Sequence, residues 1–190
     1  MTYDAARHAL LDELAWLRDS VVSKLDGLSE YDVRRPLTPT GTNLLGLVKH
    51  LAYWEARYLG DVMGRPFPEP LPRWQDSDES EMYAAADESR DGVVGLYRRA
   101  AAHADATLRE LPLDAPGHVP WWPRPDVTLA GVAVHVLVDT ARHAGHADIL
   151  REHLDGTTGT TAGRPTPIDP EARAAHWAQV EAAARQAPGH

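Results

Sequence analysis

The stretch that decides the fold is residues 128–154, which read TLAGVAVHVLVDTARHAGHADILREHL. Its apolar side chains recur every three or four residues, which is the period of an amphipathic helix. One stripe of this helix contains Val132, Val136, Asp139, His143, His146 and Leu150. Polar groups on a core-facing stripe are informative, because a buried carboxylate is costly unless it is paired or binds a metal ion. The segment therefore predicts a helix that carries a functional site into the protein interior.

Three more segments with the same helical period precede this helix in the chain. They cover about residues 4–28, 40–62 and 88–110. The second begins at a cluster of N-cap residues, Thr40 to Asn43, and stops before a proline-rich loop. Residues 76–81 are acidic, which suits the start of the third helix. Breaks are expected at residues 30–39 and 116–125. Because no strand-period run or internal repeat is present, four long helices predict an all-α bundle.

The residues beyond the fourth helix form a second region. Gly156 is a natural C-cap for that helix. Residues 157–167 are rich in Gly, Thr and Pro and predict a flexible linker. Pro170 then opens an Ala-rich helix at a position where proline is favourable. We therefore divide the chain into a bundle, residues 1–156, and a linker with an additional C-terminal helix, residues 157–190.

Composition excludes several classes of function. The chain has 190 residues, a formal net charge of -9 and no cysteine. The acidic balance argues against a nucleic-acid partner. The lack of cysteine excludes disulfides and thiolate ligands, so imidazole, carboxylate or backbone oxygen would hold any metal ion. The first residues do not resemble a signal peptide, and no apolar run is long enough to span a bilayer. We therefore expect a cytoplasmic protein with no membrane partner.

A candidate metal site follows from the spacing of three polar residues. Asp139 and His143 lie four residues apart, which brings their side chains together on one helix face. His50, close to Trp54 on the second helical segment, is the candidate third ligand, because ligands from facing helices converge in the core of a bundle. Three protein ligands leave positions open for water or substrate, as in catalytic metal sites. His135, one turn before Asp139, is a weaker ligand candidate.

A structural interpretation stays open beside the metal site. Asp139 and His143 would then form a hydrogen-bonded core pair, and His50 would cap a neighbouring carbonyl group. Helical spacing alone favours neither interpretation. His146 follows His143 by three residues and is the candidate for orienting a ligand or contacting substrate. The other histidines are expected at the surface or in the tail: His8, His103, His118, His153, His176 and His190.

Two stretches carry a family resemblance. Residues 44–51, LLGLVKHL, and residues 139–148, DTARHAGHAD, resemble the DinB-like (YfiT-like) metalloenzymes. The similarity is greatest to the actinobacterial branch whose members are mycothiol-dependent or of unknown function, and it covers roughly residues 10–156. It implies a four-helix bundle in an up-down-down-up arrangement. It also implies a metal ion held by a histidine on the second helix and by two residues four apart on the last bundle helix.

In this chain those three metal ligands would be His50, Asp139 and His143. The branch commonly has Glu at the first position of the pair, whereas Asp139 is shorter by one methylene group. This departure leaves the coordination geometry open, though not the location of the site. Imidazole and carboxylate ligands favour zinc, with nickel, iron or manganese as alternatives.

The resemblance also implies chemistry with a low-molecular-weight thiol such as mycothiol. The metal ion would stabilise the thiolate, which is the nucleophile, and the thiol would come from a cofactor because the chain has no cysteine. His146 would accept the thiol's proton or orient a water molecule, as a catalytic residue. The candidate contacts to the thiol or its acceptor are Trp54, Arg57, Tyr58, Trp121, Trp122, Arg142 and Arg151. Trp121 and Trp122 suit a lid, whereas core packing is the alternative for Trp54 and Tyr58.

Three functions are compatible with these residues. The first is a thiol-dependent S-transferase or isomerase that joins a small-molecule thiol to an electrophilic substrate. The second is a metal-dependent hydrolase, which needs the same three ligands and an activated water. The third is a non-enzymatic metal-binding stress protein. The C-terminal helix would suit a homodimer contact, but nothing in the sequence requires one.

Overall fold

The computed structural model describes residues 3–72, 80–159 and 169–187. Its regular elements are α1 (Tyr3–Ser23), α2 (Glu30–Arg34), α3 (Leu44–Tyr58), α4 (Arg90–Glu110), β1 (Pro116–His118), β2 (Asp126–Thr128), α5 (Leu129–Asp155) and α6 (Pro170–Arg185). Short 3-10 helices lie at Asp61–Met63 and Ser80–Met82. The predicted all-α class with an additional C-terminal helix is confirmed. No helix in these ranges combines the length and apolar character needed to cross a membrane.

Two apolar clusters, one at each end of the bundle, fix the helix directions. The first cluster contains Val21, Leu45, Val93 and Leu150, which lie late in α1, early in α3, early in α4 and late in α5. The second contains Leu11, Tyr58, Leu108 and Leu129, at the opposite ends of the same helices. Helices α1 and α5 therefore run in one direction, and α3 and α4 run in the other. This is the up-down-down-up arrangement that the resemblance implied.

The parallel course of α3 and α4 explains the long connection between them. A chain that leaves the end of α3 must return along the bundle, over roughly 22 Å for a 15-residue helix, before α4 can begin. The connection is residues 59–89, and α4 starts only at Arg90, behind the N-cap Ser89. Within this connection, Met82 lies against α3, where its carbonyl occupies space that a side chain on Gly46 would fill.

Capping residues determine where α3 and α5, the two helices that carry the candidate ligands, begin and where α5 ends. The Asn43 side chain accepts a hydrogen bond from the Gly46 amide at 2.8 Å and begins α3. Thr128 caps α5 in the same way, with its hydroxyl oxygen 3.3 Å from the Gly131 amide. At the other end, Gly156 has a φ of 73°, a conformation that favours glycine, and it confirms the predicted C-cap.

The structure differs from the sequence-based expectation at several boundaries. Residues 116–118 and 126–128 form an antiparallel hairpin where only a loop was predicted. Strands of three residues are too short to show a period, so no pattern could indicate them. A short helix, α2, lies in the predicted break at residues 30–39. The predicted acidic start of the third helix falls largely on residues 76–79, and most of the predicted linker falls on residues 160–167; both lie outside the described residues.

Two helices are shorter than their apolar stripes predicted. Helix α1 ends at Ser23 rather than near residue 28, because the chain turns through Gly27 at a φ of 73°. Helix α3 ends at Tyr58, and Val62 lies in the following 3-10 helix. Both Leu25 and Val62 are still buried. An apolar residue beyond a helix end can thus continue the core and extend the apparent period.

The hairpin places an aromatic loop beside the end of α3. The amide of Val119 donates to the Pro125 carbonyl at 2.8 Å, which closes the loop that contains Trp121 and Trp122. The amides of Leu129 and Ala130 donate back to the backbone just before β1. The loop is therefore fixed relative to the first turn of α5, the helix that carries two of the candidate ligands.

Candidate metal centre

Two neighbouring helices bring the three predicted ligands together in the middle of the bundle. His50 lies in the centre of α3, and Asp139 and His143 lie one turn apart on α5, which packs against α3. One ligand atom from each residue lies within 4.8 Å of the other two. All three residues are half-buried, between the two apolar clusters.

The distances within this triad of His50, Asp139 and His143 are compatible with a set of metal ligands. His50 Nε2 is 3.9 Å from Asp139 Oδ2, and His143 Nε2 is 3.6 Å from Asp139 Oδ1. Both distances exceed hydrogen-bond length, which is about 2.7–3.2 Å for N–H···O. Two ligand atoms bound tetrahedrally to zinc with bonds of about 2.1 Å would be roughly 3.4 Å apart. The atoms are thus too far apart to satisfy one another and are spaced for a cation between them.

Electrostatics keeps both imidazoles in the form that binds metal ions. Burial lowers the pKa of His50, and the attraction of Asp139 only partly opposes this. Burial, followed by the proximity of His50, lowers the pKa of His143 to about 4. Neutral imidazole is the metal-binding form of histidine. At neutral pH the triad therefore presents two neutral nitrogen donors and one carboxylate.

The charge of Asp139 supports the same interpretation. In the described part of the chain its side chain pairs with no lysine or arginine, and its nearest positive groups would be the two imidazoles themselves. Because their lowered pKa values leave those rings neutral, the carboxylate has no cationic partner. A half-buried anion beside two neutral nitrogen donors is a donor set that fits a divalent metal ion.

His146 lies next to the triad but not inside it. The sequence placed it on the buried stripe of α5, whereas the structure shows it exposed, at the edge of that stripe. Its Nδ1 is 3.4 Å from Nδ1 of His143. If His143 Nε2 binds a metal ion, its Nδ1–H can donate to His146, a contact that fixes the ring of a metal-binding histidine. His50 Nδ1, by contrast, is buried without a hydrogen-bond partner among the described residues.

An aromatic wall continues from the triad toward the hairpin loop. Its members are Trp54, Tyr58, Trp121 and Trp122. The Trp54 ring lies 6.2 Å from His50, and it lies 5.6 Å from Tyr58 and 5.7 Å from Trp121. The indole N–H groups of Trp121 and Trp122 both donate to the Tyr58 hydroxyl oxygen, at 3.2 and 3.3 Å. The structure thus brings together the four aromatic residues that the sequence proposed.

Arg57 connects this wall to a cavity of about 460 Å³. Its guanidinium lies over the Trp54 ring, 4.9 Å from the ring centre, and donates to the Pro72 carbonyl. The side chain is buried, and its Nη1 has no hydrogen-bond partner among the described residues. Arg57 and Trp121 both line the cavity, whose size suits a small molecule.

The other two arginine candidates lie elsewhere. Arg142 is exposed on α5. Arg151 is buried, and its guanidinium donates to the carbonyls of Lys24 and Asp26 and pairs with Asp155. Arg151 therefore ties the last turns of α5 to the chain that follows α1, and its donors are used within the protein.

Two histidines have surroundings that the sequence did not indicate. His103 was expected at the surface but is half-buried, with Nε2 2.7 Å from the Arg65 carbonyl oxygen. His135, the weaker ligand candidate, is not part of the ligand cluster found among the described residues. Its ring packs edge-on against Tyr58 and Trp122, at 4.7 and 4.8 Å. Its position one turn before Asp139 was the available signal that it belongs near the site.

Sequence reasoning missed a buried ion cluster on another side of α3. The cluster consists of Arg18, Glu55 and Asp105. The Arg18 guanidinium donates to Glu55 and, at 2.8 Å, to Asp105. Glu55 is almost fully buried. Its place within the buried run of α3, flanked by Ala52 and Ala56, was a signal that it needs a partner.

The fold and the triad together define a class of protein. A four-helix bundle with up-down-down-up direction, and two imidazoles and a carboxylate gathered between its second and fourth long helices, is a DinB-like architecture. The sequence model of the mycothiol-S-transferase family matches residues 9–156, which is most of the chain. The chain belongs to this family, a DinB-like family from actinobacteria. In a comparison with curated proteins, none matches.

Proposed function

We propose that the protein is a divalent-metal-dependent transferase that uses a low-molecular-weight thiol of the mycothiol type, in S-transfer or isomerisation. His50, Asp139 and His143 would hold the metal ion, with zinc as the expected metal. The observation that carries the proposal is the spacing of the triad, which is too wide for hydrogen bonds and suits ligands around a cation. Membership of the mycothiol-S-transferase family supports the choice of thiol.

A bound divalent ion would supply positive charge that favours the thiolate over the thiol near neutral pH. The residues of the chain would set the conditions for this. Asp139 would contribute the negative charge that balances the ion, and the two neutral imidazoles would contribute nitrogen donors. His146 would hold the His143 ring through Nδ1. Alternatively, with this contact released, the exposed His146 would be able to accept a proton and release it to solvent.

The thiol and its acceptor would bind along the aromatic wall. Trp54 lies beside His50, so that a group bound near the triad would contact its indole ring. The cavity lined by Arg57 and Trp121 lies at the same end of α3 and would take the part of a ligand that extends beyond the wall. The unpartnered Nη1 of Arg57 would favour an oxygen acceptor there. Arg142 would contact a ligand only at the exposed rim.

The proposal assigns the activity to the bundle, residues 1–156, which contains every residue of the triad and of the aromatic wall. It implies a protein of the cytoplasm that acts on small molecules and needs no nucleic acid or membrane. Helix α6 buries none of its described side chains, so the proposed chemistry does not depend on it. A homodimer stays a prediction.

The test is a thiol-dependence assay on metal-defined protein. The protein is stripped with a chelator, reloaded with zinc, and incubated with mycothiol and an alkylating electrophile, and the loss of free thiol is measured. We expect a rate that requires both zinc and protein and that disappears in His143→Ala. His153→Ala, an exposed histidine on the same helix, is the matched control and should keep the full rate.

The same experiment separates the alternatives. Ester or amide hydrolysis that needs zinc but is indifferent to thiol would replace the proposal with a hydrolase. Stoichiometric zinc binding with no acceleration of either reaction would indicate a binding protein. A thiol rate that is equal in His143→Ala and in the unsubstituted protein would refute the assignment of the triad.

A further inference from the structure

The hydroxyl oxygen of Tyr58, at the end of the aromatic wall, is a double hydrogen-bond acceptor. Its phenolic oxygen accepts two hydrogen bonds, from the indole N–H groups of Trp121 and Trp122. A phenolic oxygen has two acceptor sites and one O–H donor. Since both acceptor sites are used, the oxygen can take part in further bonding only through its own hydrogen.

That hydrogen has no acceptor within the described residues. The only hydrogen bonds found there at the Tyr58 hydroxyl are the two that it accepts. The residue is nevertheless 6% exposed, so that solvent has little access to it. A buried donor without a partner is costly, and groups of this kind in native proteins usually have a functional reason. Two N–H donors also draw electron density from the oxygen, which strengthens its O–H as a donor.

The position of Tyr58 relative to the triad limits what it can contact. Tyr58 follows His50 by eight residues on α3, which corresponds to about 12 Å along the helix axis. Side chains on a helix lean toward its N-terminus, so the Tyr58 ring leans toward Trp54 and the triad. The gap that Tyr58, Trp54 and Asp139 line is too narrow to hold a water molecule. Trp121, which donates to the Tyr58 hydroxyl, lines the cavity of about 460 Å³. A ligand that extends past Trp121 from this cavity would come next to the Tyr58 hydroxyl.

We propose that Tyr58 donates its phenolic O–H to the acceptor substrate, and that this substrate is an electrophile carrying a carbonyl-type oxygen on a flat conjugated body. The flat body would lie against the indole rings of Trp54 and Trp121. The inference rests on the proposed function, because it assigns the second substrate of that thiol transfer. Tyr58 thereby has a catalytic role, beyond forming part of an aromatic wall.

The chemistry balances without a further reactant. In the addition of a thiol to a conjugated carbonyl compound, a sulfur–carbon bond forms while the electron pair of the C=C bond moves toward the carbonyl oxygen. The Tyr58 O–H would stabilise the negative charge that develops on this oxygen. The proton lost by the thiol ends on the carbon next to the carbonyl group, through solvent. The product is a saturated thioether, and nothing is oxidised or reduced.

The test measures recognition of the oxygen, in the absence of metal and thiol. Acetophenone and ethylbenzene have similar shapes and differ in the carbonyl oxygen. Each is titrated into the metal-free protein, and the indole N–H resonances of Trp121 and Trp122 are followed by NMR. We expect acetophenone to bind roughly tenfold more tightly than ethylbenzene, the size of one net hydrogen bond. In Tyr58→Phe the two ligands should bind alike.

Two variants separate this role from a structural one. Trp122→Phe removes one contact to Tyr58 but keeps its O–H, so this variant should still bind acetophenone more tightly than ethylbenzene. Tyr31→Phe removes a phenol that is 74% exposed and should change nothing. Equal binding of the two ligands by the unsubstituted protein would overturn the proposal, and so would a preference that survives in Tyr58→Phe.

Failure of this inference is distinguishable from failure of the proposed function. The binding test uses neither zinc nor thiol, so it can succeed or fail independently of the transfer assay. If thiol transfer occurs and the oxygen preference is absent, Tyr58 only anchors the loop. If both hold, Tyr58→Phe should in addition lower kcat for a conjugated ketone about tenfold or more, while the zinc content stays unchanged.

Discussion

Two groups of polar residues lie inside the same bundle, on different sides of α3, and they are built in opposite ways. In the ion cluster, the Arg18 guanidinium donates at 2.8 Å to Asp105 and also donates to Glu55. In the triad, the closest approach to Asp139 is 3.6 Å, from His143. The ion cluster contains the cation that its carboxylates need. In the part of the chain that the structure describes, the triad's carboxylate has no lysine or arginine beside it.

This difference separates a structural group from a binding group. Burial alone would lower the pKa of Arg18, but the nearby Glu55 and Asp105 carboxylates together more than compensate and raise it, so the guanidinium stays charged. In the triad, Asp139 offsets the effect of burial only in part, and the pKa of each imidazole falls. The cluster is therefore complete as the chain folds. Under the proposed function, a metal ion from outside would complete the triad.

The largest expected effect comes from breaking the complete group. Arg18→Met should leave Glu55 buried without its cation and lower the free energy of unfolding by about 3–5 kcal/mol. Urea unfolding followed by circular dichroism measures this loss. Arg98→Met is the matched control, because Arg98 is exposed on α4 and makes no ion pair among the described residues. A loss below about 1 kcal/mol in Arg18→Met would mean that the cluster contributes no more than an exposed ion pair does.

The second effect concerns completion of the triad. Zinc at one hundred times its dissociation constant should stabilise the protein by about 2.7 kcal/mol, a shift seen in thermal melting. His50→Ala and His143→Ala should lose both this stabilisation and the single bound zinc found by elemental analysis, while helical content is kept. His153→Ala should behave as the unsubstituted protein. One equivalent of tightly bound zinc in His143→Ala would place the ion elsewhere.

The same contrast explains how much the sequence could predict. Asp139 and His143 interrupt an apolar stripe at helical spacing, so their inward direction was readable, and the facing His50 followed from the bundle. Arg18 and Glu55 lie on different helices and show no spacing relation to one another. Their pairing depends on the register of α1 against α3, which no local pattern encodes. The sequence thus indicated the triad and missed the ion cluster.

Other features of the fold also divide into those that local patterns predict and those that depend on tertiary contacts. The helices, the caps at Asn43 and Gly156, and the direction of the bundle were readable from period, local chemistry and resemblance. The hairpin around residues 116–128 was not, because it is held by backbone hydrogen bonds that leave no trace in side-chain pattern. The convergence of Trp121 and Trp122 on Tyr58 depends on that hairpin. Features that depend on tertiary contacts, such as this hairpin, could not be predicted from the local sequence.

A third prediction tests whether the negative charge of Asp139 is what distinguishes the triad from the ion cluster. Asp139→Asn removes the anion of the triad while preserving its shape. Zinc affinity should fall by more than the roughly 10–100-fold that loss of an outer partner causes. The stability of the metal-free protein should change by no more than about 0.5 kcal/mol, because no cation loses its partner.

Two related variants complete this comparison. Asp139→Glu keeps the charge and should keep zinc binding, measured by competition with a metal indicator dye. Glu55→Gln, the corresponding change in the ion cluster, should destabilise the protein with or without zinc, because Arg18 then loses its buried carboxylate. If Asp139→Asn destabilises the metal-free protein as strongly as Glu55→Gln does, then the two groups are built alike.

The smallest effect comes from a third polar pair, at the end of α5, where solvent reaches the charges. Arg151 donates to Asp155 at 2.7–2.9 Å, much as Arg18 does to its partners, but Asp155 is exposed. Asp155→Asn should therefore lower stability by no more than about 1 kcal/mol at pH 7. The Arg151–Asp155 pair and the Arg18 cluster have similar distances but differ in burial. Comparing their variants therefore separates the effect of solvent exposure on stability from that of distance.

The pH dependence of the Asp155→Asn effect tests whether the effect comes from the charge of the carboxylate. Partial burial alone would raise the pKa of Asp155, but hydrogen bonds from Arg151 and Thr157 hold it at about 2, below its usual value of 3.8. The folded state therefore binds fewer protons than the unfolded state between these values, and stability due to this group falls as the solution is acidified. The melting temperatures of the unsubstituted protein and Asp155→Asn should differ above pH 4 and converge toward pH 2. A difference that stays constant over this range would mean that the variant acts through packing of the last turn, because loss of a charge-dependent contact must disappear when the carboxylate is protonated.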